Sequence, residues 1–254
     1  MSEGAVTGSL VVVGTGPGRA ELMTPATGAA LARATDLVGY GPYLDRVPQH
    51  SGQCRHASDN RVELERARLA LSLAASGRQV VVVSGGDPGV FAMAAAVFEA
   101  VETGDAEWRD LDIRVEPGVT AMLAAAAEVG APLGGDFCAI SLSDNLKAWS
   151  TVERRLRAGA GGDFAIAVYN PASRARVTQL ARAFDLLRML KAADTPVLFV
   201  RAAGTADAQV ITTTLGAADP SHADMRTLVI VGASTTRRVG RWVYTPRSEG
   251  AGRS

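Results

Sequence analysis

The segment Ser84–Val90, with the sequence SGGDPGV, carries residue types that could receive a polar ligand. It follows four consecutive valines, and its glycines Gly85 and Gly86 allow close approach to the backbone. Its one carboxylate, Asp87, could accept hydrogen bonds from an ammonium group or a ribose hydroxyl. The same composition also forms a tight turn that needs no ligand. The segment is therefore a candidate binding loop with a purely structural alternative.

Two further loops follow apolar runs in the same half of the chain. Glu116–Ala121 has the sequence EPGVTA, in which Thr120 could also simply cap a helix. Gly14–Gly18 has the sequence GTGPG. Open α/β sheets bind ligands at the carboxyl ends of their strands, so loops after neighbouring strands would together form one binding surface. We predict a ligand site built from these loops.

The GTGPG segment also raises the possibility of a dinucleotide-binding fold. That fingerprint needs a third glycine where this chain has Arg19, and a helix that opens directly from the turn. Here Pro17 has no N–H group, and the next helix signal comes only at Thr24 and Pro25. An NAD-dependent oxidoreductase remains an alternative from another class, and a plain tight turn remains the structural alternative.

Apolar runs and helical periodicity alternate along the first half of the chain, which predicts a parallel sheet with helices on its faces. The predicted strands are Leu10–Val13, Asp36–Tyr40, Val80–Val83 and Ile113–Val115. The predicted helices run over Thr24–Ala34, Arg61–Ala75, Val90–Val101 and Thr120–Ala127.

A glycine- and proline-containing break at Gly130–Gly135 predicts two domains, residues 1–133 and 134–254. The second half is also α/β, with a polar tail over Ser248–Ser254. Its predicted strands are Phe137–Ser141, Phe164–Tyr169, Pro196–Val200, Ala208–Leu215, Thr227–Val231 and an edge strand Trp242–Tyr244. Its predicted helices are Thr151–Arg157 and Arg174–Lys191, with a turn at Gly159–Gly162.

Composition narrows the class of function. The 254 residues are 47% hydrophobic and 20% charged with a net charge of zero, which favours a folded enzyme over a nucleic-acid or membrane-surface binder. We expect no signal peptide, no membrane span and no CxxC-type zinc or disulfide site, and hence a cytoplasmic protein. The three histidines are scattered, so we expect no metal site; Cys54 and His56 offer a ligand pair at most.

Arginine dominates the basic residues, because only Lys147 and Lys191 of the 26 are lysines. This balance disfavours Schiff-base chemistry and suits bidentate binding of carboxylates. Candidate carboxylate-binding residues, each with solvated surface arginine as the alternative, are Arg19, Arg46, Arg237 and Arg238.

Taken in order, the motifs resemble the S-adenosylmethionine-dependent tetrapyrrole methylases over about Leu10–Tyr244. The matching segments are GTGPG, GGDPGVF (Gly85–Phe91), EPGVTA, DFCAISLSD (Asp136–Asp144), YNP (Tyr169–Pro171), DMRTLVIVGAS (Asp224–Ser234) and VGYGPYLDRV (Val38–Val47).

The resemblance implies a two-domain α/β fold, with a mostly parallel sheet in the first domain and a mixed sheet in the second. It also implies a homodimer with S-adenosylmethionine in the cleft between domains. The implied cofactor-binding residues are Pro17, Gly85, Gly86, Asp87, Val90, Thr120, Ala121, Asn170 and Gly204.

The implied reaction is methylation of precorrin-3B at C-17 with ring contraction to precorrin-4, in cobalamin (vitamin B12) biosynthesis. Methylation at another corrin position, methylation of the cobalt-containing intermediate cobalt-factor III, and a non-catalytic binding protein remain alternatives. Candidate catalytic residues are Tyr40, Ser141 and Asp144, with Ser143 as a further hydrogen-bonding group. Capping of a nearby turn is the structural alternative for Ser141 and Ser143.

Overall fold

A computed structural model of the chain describes residues 8–59 and 62–248, which divide into two compact units. The first unit comprises residues 1–120 and the second residues 121–254. The predicted helix start at Arg61, the polar tail beyond residue 248 and the first seven residues lie outside the described part. No helix in the described part is long and apolar enough to cross a membrane.

The first unit contains a five-stranded sheet in the order β3-β2-β4-β1-β5. Every neighbouring pair in it is parallel, so the five carboxyl ends lie along one edge. This confirms the predicted parallel sheet. Its strands are β1 (Ser9–Gly14), β2 (Asp36–Tyr40), β3 (Cys54–Ser58), β4 (Gln79–Ser84) and β5 (Asp112–Glu116).

Helices cover both faces of this sheet, because alternate side chains of each strand point to opposite faces. Val80 and Val82 pack with the third and fourth helices and with Trp108. Val81 and Val83 pack with the first and second helices on the other face. The helices are α1 (Pro25–Arg33), α2 (Gly41–Leu44), α3 (Glu63–Ala75) and α4 (Met93–Thr103), with 3-10 turns at Ala20–Leu22 and Ala106–Asp110.

The second unit contains a mixed five-stranded sheet in the order β10-β9-β11-β8-β7 and a small three-stranded sheet in the order β12-β13-β6. Its strands are β6 (Gly130–Ala131), β7 (Phe137–Ser141), β8 (Ala165–Tyr169), β9 (Pro196–Arg201), β10 (Gln209–Thr214), β11 (Thr227–Val231), β12 (Arg237–Val239) and β13 (Trp242–Tyr244). Its helices are α5 (Ala121–Val129), α6 (Trp149–Gly161) and α7 (Gln179–Arg188), with a 3-10 turn at Pro220–His222. The predicted mixed sheet is confirmed.

Strands β7 and β8 are parallel, and β8 and β9 are each antiparallel to β11. The three strands β7, β8 and β9 therefore run in one direction and end at the same edge of the larger sheet. Helices α6 and α7 pack on one face of it around Phe184, Leu156 and Ile166.

Four local predictions were wrong. Helix α7 begins at Gln179 rather than Arg174, after a turn closed by pairing between Ser173 and Arg176. Of the predicted turn at Gly159–Gly162, residues 159–161 form the last turn of α6 and only Gly162 lies in a turn; a Cβ on Gly159 would lie 2.9 Å from Cys138 Sγ. The predicted edge strand Trp242–Tyr244 is the central strand of the small sheet. Helix α4 begins at Met93 rather than Val90, because Phe91 takes a left-handed backbone conformation with φ 53°.

The glycine- and proline-containing break at Gly130–Gly135 is partly ordered as strand β6, which pairs with β13. Helix α5 belongs to the second compact unit, whereas a boundary at residues 133 and 134 would place it in the first. The polar strand β3 and the short helix α2 were not predicted from the sequence.

Candidate functional site

The loops after β1 and β4 are joined through their backbones at the carboxyl edge of the first sheet. Gly16 N–H donates to the carbonyl of Gly86 at 3.1 Å, and Gly86 N–H donates to the carbonyl of Gly16 at 2.9 Å. Both glycines have positive φ, 72° and 64°, which residues with a side chain adopt with strain. Because β1 lies between β4 and β5 in the sheet, the loop after β5 reaches the same place.

Glycines make this close approach possible. A Cβ on Gly14 would lie 2.5 Å from the Gly86 carbonyl oxygen, and one on Gly118 would lie 2.2 Å from the same atom. A Cβ on Gly85 would lie 2.7 Å from the ring of Tyr43. The loops after β1, β4 and β5 therefore form a single backbone-lined surface in the first unit.

Asp87 holds two of these loops together. Its Oδ2 accepts a hydrogen bond from Gly118 N–H at 3.0 Å, and its Oδ1 accepts one from Gly89 N–H at 2.8 Å. Each oxygen keeps a further lone pair, so the carboxylate could still receive a ligand donor. The structure thus shows a positioning role for Asp87 beside the predicted binding role.

The other predicted residues of the first unit lie at the same edge. Pro17 is half-buried directly after the Gly16 contact, and Val90 is half-buried at the end of the β4 loop. Thr120 is buried at the end of the β5 loop. Tyr40 ends β2, and its ring lies edge-on to Tyr43 at 5.4 Å between centroids.

In the second unit, Asn170 follows β8 in a left-handed conformation with φ 52°. Its side-chain amide donates to Ser141 Oγ at 2.9 Å, and Ser143 N–H donates to the same oxygen at 3.2 Å. The hydroxyl of Tyr169 accepts a hydrogen bond from Met122 N–H in the first turn of α5 at 3.1 Å. The predicted residues Ser141 and Asn170 therefore contact each other directly.

Asp144 lies in the loop after β7, beside Arg176 and Gln179. Gln179 Nε2 donates to Asp144 Oδ2 at 2.9 Å, and Arg176 Nε lies 3.7 Å from Oδ1. The hydrogen bond from Gln179 lowers the pKa of Asp144, and the charge of Arg176 lowers it further. The carboxyl is therefore ionised near neutral pH, which fits an electrostatic or hydrogen-bond acceptor role better than that of a proton donor.

Gly204 and Ala121 complete the predicted set in the second unit. Gly204 lies in the loop after β9 with φ 73°, and its N–H donates to Glu128 Oε1 at 3.2 Å. Ala121 is the first residue of α5, and Glu128 is near the end of the same helix. Helix α5 thus contacts the β8 end through Tyr169 and the β9 loop through Glu128.

Positive charge gathers around the loop after β7. Burial lowers the pKa of Lys147, and the guanidinium groups of Arg155 and Arg176 lower it further. The arginines proposed from sequence lie elsewhere: Arg19 is exposed after the β1 loop, and Arg46 lies over the Tyr43 ring. Arg237 and Arg238 lie on the exposed strand β12.

Strands β2 and β3 begin at the opposite edge of the first sheet, where a buried carboxylate meets two basic groups. Asp36 Oδ1 lies 2.8 Å from His56 Nε2, and its Oδ2 accepts a hydrogen bond from Arg78 Nε at 2.7 Å. Cys54 is exposed at the start of β3, whereas Cys138 is half-buried in the second unit. Within residues 8–59 and 62–248, no three histidine, cysteine or acidic side chains are grouped to hold a metal ion.

Sequence reasoning missed three residues that hold the loops. Tyr43 contacts Gly85, Glu128 binds the Gly204 amide, and Arg176 binds the Asn170 carbonyl. Tyr43 lies within the VGYGPYLDRV segment, so that motif pointed to it. Glu128 and Arg176 stand outside every motif, and Gly204 and Ser143, which they also bind, are distant along the chain.

Comparison with known proteins identifies the family of the chain. The pattern of the tetrapyrrole (corrin/porphyrin) methylases matches residues 9–219. The chain is 57% identical to a precorrin-3B C(17)-methyltransferase from a Sinorhizobium species, over 95% of this chain and 97% of that protein.

Two solved structures share the fold. The crystal structure of the methyltransferase CobJ is 55% identical and covers 94% of this chain and 100% of its own, with a TM-score of 0.92. A uroporphyrin-III C-methyltransferase from Thermus thermophilus, solved with S-adenosylhomocysteine, is 24% identical and covers 89% and 92%, with a TM-score of 0.67. The chain belongs to the tetrapyrrole (corrin/porphyrin) methylases.

Proposed function

We propose that the chain transfers a methyl group from S-adenosylmethionine to C-17 of precorrin-3B, with contraction of the ring to precorrin-4. The similarity to the Sinorhizobium enzyme over almost the full length of both proteins carries this proposal. The reaction belongs to cobalamin biosynthesis, within the wider chemistry of porphyrins and corrins.

The loops of the first unit fit such a donor. A sulfonium donor brings its own activated methyl group, so the protein has to bind, orient and exclude water rather than supply a nucleophile. Glycines at positions 14 and 118 let the three loops pack closely, because a Cβ at either position would collide with the Gly86 carbonyl. The packed loops offer a backbone surface against which a bulky ligand can lie. Orientation of this kind can supply about 7–11 kcal/mol of the barrier in favourable cases.

The residues proposed to contact the donor are those implied by the family resemblance. In the first unit they are Pro17, Gly85, Gly86, Asp87, Val90 and Thr120, and in the second Ala121, Asn170 and Gly204. Small residues and left-handed backbone positions dominate this set, which supports recognition through backbone groups. Asn170 also has a side-chain amide, already bound to Ser141.

We assign the acceptor side to Tyr40, Ser141 and Asp144. Ionised Asp144 supports stabilisation of positive charge or acceptance of a hydrogen bond. Because precorrins carry several carboxylates, a protein of zero net charge must gather positive groups locally. We also propose that the protein acts as a homodimer in the cytoplasm.

The experiment is direct. Purified protein is titrated with S-adenosylhomocysteine and with NAD, and then incubated with labelled S-adenosylmethionine and precorrin-3B. The proposal is supported if the protein binds S-adenosylhomocysteine and not NAD. Label should also be transferred to precorrin-3B, and the product should have a contracted ring. Label incorporated only into cobalt-factor III, or into another precorrin, would contradict the proposed acceptor while leaving the donor assignment intact.

A further inference from the structure

Arg176 joins two of the segments of the second unit that carry predicted site residues, the end of β8 and the loop after β7. Its side chain is buried although it stands outside every recognised motif. Nη1 donates to the Asn170 carbonyl at 3.3 Å, and Nη2 donates to Ser143 Oγ at 3.0 Å. One guanidinium therefore holds the end of β8 and the loop after β7 at the same time.

The two contacts need the shape of a guanidinium. The planar fork presents donors on separate nitrogens in fixed geometry, whereas a lysine ammonium is a single point of charge. The fork acts on a strained position, because Asn170 has φ 52° and keeps it only while its surroundings favour it. The Asn170 amide is fixed by Ser141, so the residue is held from both its main chain and its side chain.

The third guanidinium nitrogen of Arg176, Nε, faces Asp144 without forming a hydrogen bond to it. This nitrogen is buried and makes no hydrogen bond within the described part of the chain. The nearest carboxylate oxygen, Oδ1 of Asp144, lies 3.7 Å away, beyond hydrogen-bond distance. The hydrogen bonds to Asn170 and Ser143, at 3.3 and 3.0 Å, are therefore shorter than the contact with Asp144.

We propose that Arg176 is a positioning residue for methyl-donor binding: it fixes Asn170, and with it the loop Ser141–Asp144, in the conformation that receives the donor. The inference rests on the proposed function, in which Asn170 contacts S-adenosylmethionine. Arg176 itself acts through Asn170 and Ser143 and is not assigned a contact with the donor.

The test compares affinity for S-adenosylhomocysteine in the wild type, Arg176→Gln and Arg176→Lys by titration calorimetry. Thermal unfolding is recorded for each protein, and every titration is run well below the lowest midpoint. We expect the dissociation constant to rise about tenfold in Arg176→Gln and by a smaller factor in Arg176→Lys. In turnover, the KM for the donor should rise more than kcat falls.

Arg182→Gln is the matched control. Arg182 lies six residues further on, in helix α7, and is exposed, where it pairs with Glu153 and stacks on Trp149. Its variant should bind S-adenosylhomocysteine like the wild type. Ser143→Ala serves as a second probe if Arg176→Gln fails to fold, because it removes one of the two contacts and should weaken binding to a lesser degree.

The outcomes separate the two proposals. Absence of S-adenosylhomocysteine binding in the wild type contradicts the proposed function. Binding in the wild type with unchanged affinity in folded Arg176 variants, whatever their melting temperature, overturns the positioning role alone. Wild-type affinity in Arg176→Lys would likewise show that the fork is not needed.

Discussion

Asp87 Oδ2 accepts a hydrogen bond from the backbone N–H of Gly118 at 3.0 Å, so one side chain links the loops that follow β4 and β5. The other oxygen of the same carboxylate closes the turn onto Gly89. The family resemblance nominates Asp87 as a cofactor contact, and the structure adds that it shapes the surface on which the cofactor would lie.

Replacement of Asp87 by alanine removes the acceptor for both backbone N–H groups. We expect the free energy of unfolding to fall by about 1–3 kcal/mol and binding of S-adenosylhomocysteine to weaken. Urea unfolding and calorimetry measure the two effects. Asp112→Ala, which breaks only an exposed pair with Arg114, should change stability much less and leave binding unchanged. Equal binding in both variants would show that the loop does not receive the donor.

Gly118→Ala tests the close approach of the loops. The added Cβ would lie 2.2 Å from the Gly86 carbonyl oxygen, so backbone must shift, at a cost of about 1–3 kcal/mol. Gly28→Ala in α1 is the control, because no atom lies within 4 Å of the added Cβ. It should stabilise the protein by about 0.5–1 kcal/mol through helix propensity. A Gly118 variant as stable as the wild type would mean that the loops do not meet this closely in solution.

The ionisation state of Asp144 predicts how kcat/KM depends on pH. The hydrogen bond from Gln179, with the charge of Arg176, lowers the pKa of Asp144, so its ionisation is complete well below neutral pH. We expect Asp144→Asn to lower kcat/KM between about pH 6 and pH 9 without removing a limb of the profile. The loss should stay below the roughly 100-fold that removal of a general acid–base brings. A limb near neutral pH that disappears in the variant would assign proton transfer to Asp144.

Asp36 predicts a loss of stability in acid. Burial raises the pKa of this carboxyl, but hydrogen bonds from Arg78, His56 and Thr35 outweigh burial and lower it. A lowered folded-state pKa stabilises the protein above the unfolded value of about 3.9, and this stability is lost as pH falls through the folded value. The free energy of unfolding should therefore fall between about pH 5 and pH 2, and less steeply in Asp36→Asn. Parallel curves for the two proteins would contradict the assignment.

Tyr169→Phe tests how much one hydroxyl group contributes to the free energy of unfolding. Tyr169→Phe leaves Met122 N–H in the first turn of α5 without its acceptor, at about 1–3 kcal/mol if no water replaces it. Tyr244→Phe is matched in chemistry, since the Tyr244 ring stacks with Arg237 and phenylalanine keeps that contact. Chemical denaturation of the two variants should separate them by at least 1 kcal/mol, which is the approximate net value of one hydrogen bond. Equal stabilities would mean that water satisfies Met122.

The apolar strands were predictable because burial on both faces requires an unbroken hydrophobic run. Val80–Val83 and Thr227–Val231 are such runs, and both are buried strands in the structure. Strand β3, with the sequence CRHAS, was missed because it lies at the edge of its sheet and its polar residues neither alternate nor form a run. It is a strand because it pairs with β2, and that pairing leaves no apolar pattern in the sequence.

Errors at glycines have a packing cause. Gly159–Gly161 resemble a turn, yet they lie in α6. Glycine at position 159 reflects packing, because Cys138 and Ile166 leave no room for a side chain there. Local propensity there is overridden by tertiary contact. The glycine loops were predictable by contrast, because each directly follows a buried strand. The Arg176 contacts with Asn170 and Ser143 could not be predicted, since nothing local in sequence marks a side chain that bridges two distant loops.

The unequal placement of the two thiols has a practical consequence. Burial raises the pKa of Cys138 and keeps that thiol protonated, whereas Cys54 is exposed at the amino end of β3. A maleimide fluorophore reacts with accessible thiolate, so the unaltered chain should accept dye at Cys54 first. That position is on the edge of the sheet opposite the glycine loops, which makes it a natural attachment point for following ligand association by fluorescence without altering the loops themselves.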